Sequence, residues 1–360
     1  MKRRTFLKAA ASGATVGIAA GASPVVAAGK RRLKMVTTWP KNFPGLGTGA
    51  ERLARRISEA SDGTLQVRVF AAGELVPAFS AFDAVAGGAA DMYHGGDYYW
   101  QGKSRAYNFF SSVPFGMTAS EMAAWVYFGG GQELWDGLSA PFGIKPFMAG
   151  NTGVQMGGWF RHEITSLDDF KGLRMRMPGL GGEVLRRLGA AAVSLPAGEI
   201  FPALQSGAID ATEWVGPWND LAFGFHKIVK YYYYPGFHEP GTSVACGINL
   251  GLWNDLSKPQ QAIVRDALAA ENDMVRAEFN ARNATALKVL IEKHGVKLRR
   301  FSDAIVTELA RLSAQVLKET AAADATTGKI YDSYRAFLAD SLAWDDVAEK
   351  AYGEARRLFL

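Results

Sequence analysis

The strongest constraint on this chain is an order of strand and helix signals that occurs twice. Leu33-Lys-Met-Val-Thr-Thr38 reads as a strand, Thr48–Ala60 as a helix, and Thr64–Phe70 as an alternating strand. Pro77–Ala86 then reads as a helix stopped at Gly87-Gly88, with Ala89–Met92 opening a third strand. The middle of the chain repeats this: strand Leu173–Arg176, helix Gly182–Leu188, strand Ala191–Leu195, helix Glu199–Ser206 stopped at Gly207, and strand Ala208–Ala211. Both copies close on Gly-Ala-x-Asp. A glycine there suits a left-handed helix stop, so the tetrapeptide by itself can be turn chemistry; the shared order weighs more. Two β-α-β-α-β units predict an α/β fold of two lobes, with a ligand cleft between them at the carboxyl ends of the strands.

The last third reads differently. From Lys258 to about Lys293, and again over Ala304–Leu317 and Trp344–Phe359, apolar residues recur at helical spacing. These are expected to be long C-terminal helices bracing the lobes, with the alternative that Trp344, Val347, Ala351 and Leu358 meet a second subunit. The expected division is a leader over 1–28, mainly lobe 1 over 29–150, mainly lobe 2 over 151–250, and the helices over 251–360.

Met1-Lys-Arg-Arg-Thr-Phe-Leu-Lys8 carries a paired arginine, followed by an Ala/Gly/Val-rich stretch that ends in Pro24-Val-Val-Ala-Ala28. A charged start, a mildly apolar middle and a small-residue exit are the pattern of a cleavable export signal, and the paired arginine points to the twin-arginine route. The expected location is therefore the periplasm. The leader also explains the charge. The chain's net +5 falls to about +1 once those residues go, so the basicity is no argument for a nucleic-acid partner. With 48% hydrophobic and 21% charged residues the chain is globular rather than disordered, and its one cysteine, Cys246, rules out a disulfide framework or a cysteine-built metal centre.

Signatures of catalysis are missing. Gly45-Leu-Gly-Thr-Gly49 lies between a strand and a helix, but Pro40 and Pro44 intervene and the third glycine of a dinucleotide loop is absent, so a flexible loop is expected. There is no G-x-S-x-G, H-E-x-x-H or P-loop, and the five histidines are scattered. Residues 150–240 hold a set that is unusually polar for strand ends and turns: Asn151, Gln155, Arg174, Arg176, Glu213, Trp214, Trp218 and Glu239. Arg176, at the end of a short strand, can offer its planar fork to a carboxylate; the bland reading is a surface ion pair of little energetic worth. Glu213 can equally cap a helix opening near Pro217, and Trp214 can be core.

Asn151-Thr-Gly-Val-Gln-Met-Gly-Gly-Trp-Phe160, Gly172–Arg176 and Pro202-Ala-Leu-Gln-Ser-Gly-Ala-Ile-Asp-Ala-Thr-Glu-Trp-Val-Gly-Pro217 closely resemble solute receptors of TRAP-type transporters. Ala72–Pro77, Tyr98-Tyr-Trp100 and Tyr231–Gly236 extend the similarity over essentially the whole chain after the leader. It is closest to the branch that binds 2-oxo acids such as pyruvate. The resemblance implies that Arg176 grips the substrate carboxylate and that Gln155 touches both substrate and cation. It further implies that Glu213 and the backbone carbonyl of Trp214 hold that cation, Na⁺ or Ca²⁺, and that Trp214 and Glu239 contact substrate. A cation there would offset the repulsion between Glu213 and an anionic ligand.

The expected function is thus a periplasmic receptor, not an enzyme. It would bind a small 2-oxo or 2-hydroxy monocarboxylate and deliver it to the membrane subunits of a TRAP transporter, as a homodimer joined by the C-terminal helix. Two rivals remain at this point: a periplasmic enzyme acting on carboxylates with Glu213 as general base, and a scaffold subunit built on the C-terminal helices.

Overall fold

The computed structural model describes residues 30–359, so the export signal expected over 1–28 lies outside the described residues. Two mixed sheets organise them. The first has the order β2 (Leu65–Phe70), β1 (Arg31–Thr37), β3 (Met92–Gly95), β10 (Ser243–Asn249), β4 (Ile144–Asn151). The second runs β11 (Lys297–Arg300), β9 (Tyr231–Tyr234), β5 (Gly158–Phe160), β8 (Ala211–Thr212), β6 (Arg174–Arg176), β7 (Ala191–Val193). Within them, β1 pairs in parallel with β2 and β3, and β6 pairs in parallel with β7 and β8; an antiparallel strand follows in each case, β10 beside β3 and β5 beside β8. The twofold order in the sequence is therefore a twofold order in space. Ser243–Asn249, within the stretch assigned mainly to the second lobe, crosses back into the first sheet.

Gly-Ala-x-Asp does the same work in both copies. Asp91 donates its N–H to the carbonyl of Lys34 (3.0 Å), and its carboxylate accepts from the Lys34 N–H (2.7 Å). Asp210 pairs likewise with Arg174 (2.7 and 3.2 Å). Each aspartate closes a turn onto the first strand of its unit, so β3 and β8 start three residues later than expected.

The helices bury apolar stripes. In α1 (Gly47–Ala60), Ala50, Leu53, Ala54 and Ile57 face Leu33 and Met35 of β1, while Val36 on the opposite side of that strand packs with Phe82 and Tyr93. In the second unit α2 (Gly179–Arg187) and α3 (Ala197–Ser206) do the same, and Gly207 ends α3 at φ +75°. After α4 (Pro217–Phe223) comes the long α5 (Lys258–His294), opened by a Ser257–Gln260 capping box. It packs on β4 and α1 of the first lobe and on α4 of the second, spanning both. Its buried Glu271 meets Arg52 of α1 at 2.7 Å.

Two expectations change. Gly45–Gly49 is a packed turn running into the first turn of α1 rather than a flexible loop: Gly45 sits at φ +70°, a Cβ there would come within 2.9 Å of both Phe279 of α5 and Trp218 of α4, and Gly47 already begins the helix. The terminal helix expected over 344–359 is two helices, α6 (Ala325–Val347) and α7 (Glu349–Arg357), broken at Ala348 (φ −115°, ψ −101°). Trp344, Val347, Tyr352, Leu358 and Phe359 are all exposed, Phe359 by 90%.

Candidate functional site

The polar residues converge where strand ends face the cleft. Arg174 and Arg176 share one face of β6, since side chains alternate along a strand. At its outer end Arg174 pairs with Asp210; at its inner, carboxyl end Arg176 pairs with Glu213, which follows β8. Arg176 is 0% and Glu213 1% exposed, so the surface-pair reading does not hold. The helix-cap reading of Glu213 fails too, because α4 starts from Gly216 without a side-chain cap.

Arg176 is held from several directions. Its Nε donates to Leu195 O (3.3 Å), Nη1 to Glu213 Oε1 and to Glu213 O (3.2 Å), and Nη2 to the Tyr99 hydroxyl (3.3 Å), with the guanidinium 5.0 Å over the Trp214 ring. Burial favours its neutral form, but the charge of Glu213 and further anionic neighbours outweighs this, and its pKa is raised. The other oxygen of Glu213 lies 3.3 Å from His238 Nε2.

A second knot surrounds Gln155, just before β5. Its Nε2 shares its two N–H groups among Glu239 (2.7 Å), Thr152 (3.1 Å) and Thr242 (3.1 Å), and Thr242 also donates to Glu239. Burial, and secondarily the charge of Glu213, holds the Glu239 carboxyl above the usual carboxylate range. Gln155 Oε1 is buried without a partner, as is His238 Nδ1. Ligand atoms of Glu213, His238 and Glu239 lie within 4.8 Å of one another. The donor set of two carboxylates and an orphaned amide oxygen fits a hard cation; the imidazole was not anticipated.

Trp214 is buried at the junction of the lobes. Its Nε1 donates to Asn219 (3.3 Å), which donates in turn to Pro44 O (3.0 Å), and its ring meets Trp39 edge-on at 6.0 Å. Trp39 donates to His94 Nδ1 (2.7 Å); burial lowers that imidazole's pKa to about 4, leaving it a neutral acceptor. Trp39, Tyr98, Gln155, Trp214 and Thr242 line a cavity of about 10 Å³. That holds about one water-sized body, so a larger solute enters only when the lobes part.

The structure thus brings Arg176, Glu213 and Trp214 together and, adjoining them through Glu213, His238 and Glu239, Gln155 as well. Trp218 lies apart, against Phe279, and Asn151 braces the local turn through Gly241 and Gly153. Sequence reasoning missed His238, Thr152 and Thr242. The first stands directly before Glu239, but its partner Glu213 is 25 residues away, and no local spacing marks the pair.

The family described as bacterial extracellular solute-binding protein, family 7, matches residues 35–324. A monocarboxylate 2-oxoacid-binding periplasmic protein of Nostoc sp. is 43% identical, over 89% of this chain and 88% of its own length. Two solved TRAP transporter solute-binding proteins are also similar. One, from Pseudoalteromonas atlantica, has bound sodium and pyruvate (41% identity, TM-score 0.88, 90% of this chain and 99% of that one). The other, from Bordetella bronchiseptica, is a dimer with copurified calcium and picolinate (35% identity, TM-score 0.90, 92% and 98%).

Proposed function

This chain belongs to family 7 of the bacterial extracellular solute-binding proteins, and from that premise we propose that it captures a 2-oxo monocarboxylate of pyruvate size together with Na⁺ or Ca²⁺. It is a TRAP-type solute receptor, not an enzyme, and the general-base reading of Glu213 is set aside. The observation that carries the proposed substrate is Arg176, a fully buried guanidinium at the carboxyl end of β6 with an aromatic wall beneath it. In our reading Arg176 holds the carboxylate, with Glu239 and Trp214 beside the substrate. Gln155, Glu213 and the Trp214 carbonyl would hold the cation; the orphaned Gln155 Oε1 supports its place in that set. The cation supplies positive charge beside Glu213, which lets an anion approach.

The family places the protein outside the cytoplasm, and no helix among the described residues is long and apolar enough to cross a membrane. We assign it to the periplasm after twin-arginine export, with the membrane subunits of a TRAP transporter as its docking partner. The exposed apolar residues of α6 and α7, together with the dimer of the Bordetella relative, support pairing through the C-terminal helices.

A thermal-shift screen of the protein from residue 29 onward against short carboxylates, with sodium and calcium present or replaced, tests the reading. A ligand bound only by the folded state raises the melting temperature. The expected result is a shift for pyruvate-like acids that weakens when the cations are replaced. No shift with any 2-oxo acid refutes the substrate assignment.

A further inference from the structure

Resting on that reading, we propose that Glu213 is an internal competitor for Arg176, so that the receptor accepts a carboxylate only when a cation draws Glu213 away. The donor count leads here. A guanidinium has five N–H groups. In Arg176 the Nε donor goes to Leu195, both Nη1 donors go to Glu213, and one Nη2 donor goes to Tyr99. One N–H remains, and a bidentate carboxylate needs two. The acid therefore gains its second donor only by displacing a present partner; the Leu195 carbonyl and the Tyr99 hydroxyl are neutral acceptors at 3.3 Å, and Glu213 is the one partner whose negative charge competes with its own.

Charge leads to the same place. Arg176 and Glu213 are 0% and 1% exposed and neutralise one another. A monocarboxylate entering by itself leaves one negative charge in excess in a buried site, an arrangement heavily penalised. His238, the other neighbour of Glu213, lies at 3.3 Å and makes no second guanidinium-like fork. With Na⁺ the acid and cation thus enter as a balanced pair, and with Ca²⁺ the extra positive charge faces Glu239, whose carboxylate lies within 4.8 Å of the ligand atoms of Glu213 and His238. The cation's role extends beyond touching the substrate: by engaging Glu213 it frees the donors of Arg176. Their affinities are then linked reciprocally.

Glu213→Gln separates this from the simpler view in which Glu213 is only a cation ligand. The amide keeps the shape and an acceptor oxygen but removes the charge, leaving Arg176 without its counterion. The experiment titrates pyruvate into wild type and E213Q, by calorimetry or by tryptophan fluorescence. Each protein is measured in buffer whose only small cation is tetramethylammonium, and again with sodium or calcium. In wild type the affinity rises by about tenfold or more when the cation is added. In E213Q binding in tetramethylammonium is tighter than wild type's in that buffer and does not respond to the cation. Weaker binding by E213Q than by wild type in tetramethylammonium, or a retained cation response, overturns the proposal.

Where E213Q melts below the assay temperature, pyruvate added without sodium or calcium restores its folding transition; failure to do so also overturns the proposal. Absence of pyruvate binding by wild type in every buffer defeats the substrate reading itself, and the competition with it.

Discussion

Arg176→Met removes the guanidinium while keeping an unbranched chain to fill its space, and its two consequences differ in size and in remedy. On the stability side, Glu213 stays 1% exposed with only His238 at 3.3 Å. Breaking a buried pair by removing one partner costs about 3–5 kcal/mol. At about 2 °C per kcal/mol for a chain of this size, a loss near 4 kcal/mol lowers the melting temperature by roughly 8 °C. On the binding side, the acid loses two charge-assisted hydrogen bonds of about 1.5–3 kcal/mol each. The sum, about 3–6 kcal/mol, weakens Kd by roughly 10²–10⁴. The double variant R176M/E213M tells the two apart. A buried ion pair is often no more stabilising than apolar groups of similar volume, so the double variant recovers most of the melting temperature and none of the binding. Scanning calorimetry and titration with pyruvate in sodium buffer read both quantities. A single variant that melts within 2 °C of wild type, or a double variant that still binds pyruvate, refutes the reasoning.

Three further outcomes follow from the same structure. Burial raises the carboxyls of Asp97 and Asp220 to about 7, far above their unfolded values near 3.9; between roughly pH 4 and 7 the folded chain binds more protons, so stability falls as pH rises through that window. Asp220→Asn, which removes one such group, flattens the slope of unfolding free energy against pH relative to wild type. Asn219→Ala strips the acceptor from the Trp214 indole and the donor from Pro44 O, costing about 2 kcal/mol in denaturant unfolding and weakening pyruvate binding by less than the loss of Arg176 does. Deleting residues 342–360 removes exposed Leu342, Trp344, Val347, Tyr352 and Leu358; if the proposed pairing through these helices holds, light scattering finds a dimer for the whole chain and a monomer for the truncated one, with pyruvate affinity unchanged.

The fold was legible where periodicity and turn chemistry agree. Both β-α-β-α-β units appear in their expected order, with boundaries shifted by up to three residues, because Leu33, Met35, Leu53 and Ile57 in one, and Met175, Val184, Leu185 and Ala192 in the other, repeat at strand and helix spacing. What periodicity could not show is a strand that changes sheets. β10 is apolar on both faces, as a central strand of either sheet would be, and only its pairing with β3 and β4 assigns it. Gly45–Gly49 misled for a related reason: a glycine that looks loose in sequence, Gly45, is required where Phe279 and Trp218 crowd the turn, and Gly47 and Gly49 open α1. At the site, residue type pointed to Arg176 and Glu213 but not to their pairing, which depends on the parallel register of β6 and β8. His238 and Thr242 contribute through contacts that span the fold, and nothing in their neighbours in sequence announces them.

The contacts that join the lobes use the same side chains as the candidate site. Arg176, on the second sheet, reaches Tyr99, which follows β3 of the first. Trp214 meets Trp39 edge-on, and Asn219, which accepts from the Trp214 indole, donates across to Pro44. On the proposed assignment of the site, binding and closure act on the same side chains. A carboxylate that turns Arg176 away from Glu213 acts on a guanidinium already tied to the opposite lobe, and anything that moves the Trp214 carbonyl also moves the indole that seats on Trp39. Each ligand contributes to the closed arrangement through its differential contacts with it. On the proposed function, a permease that reads closure thereby reads occupancy.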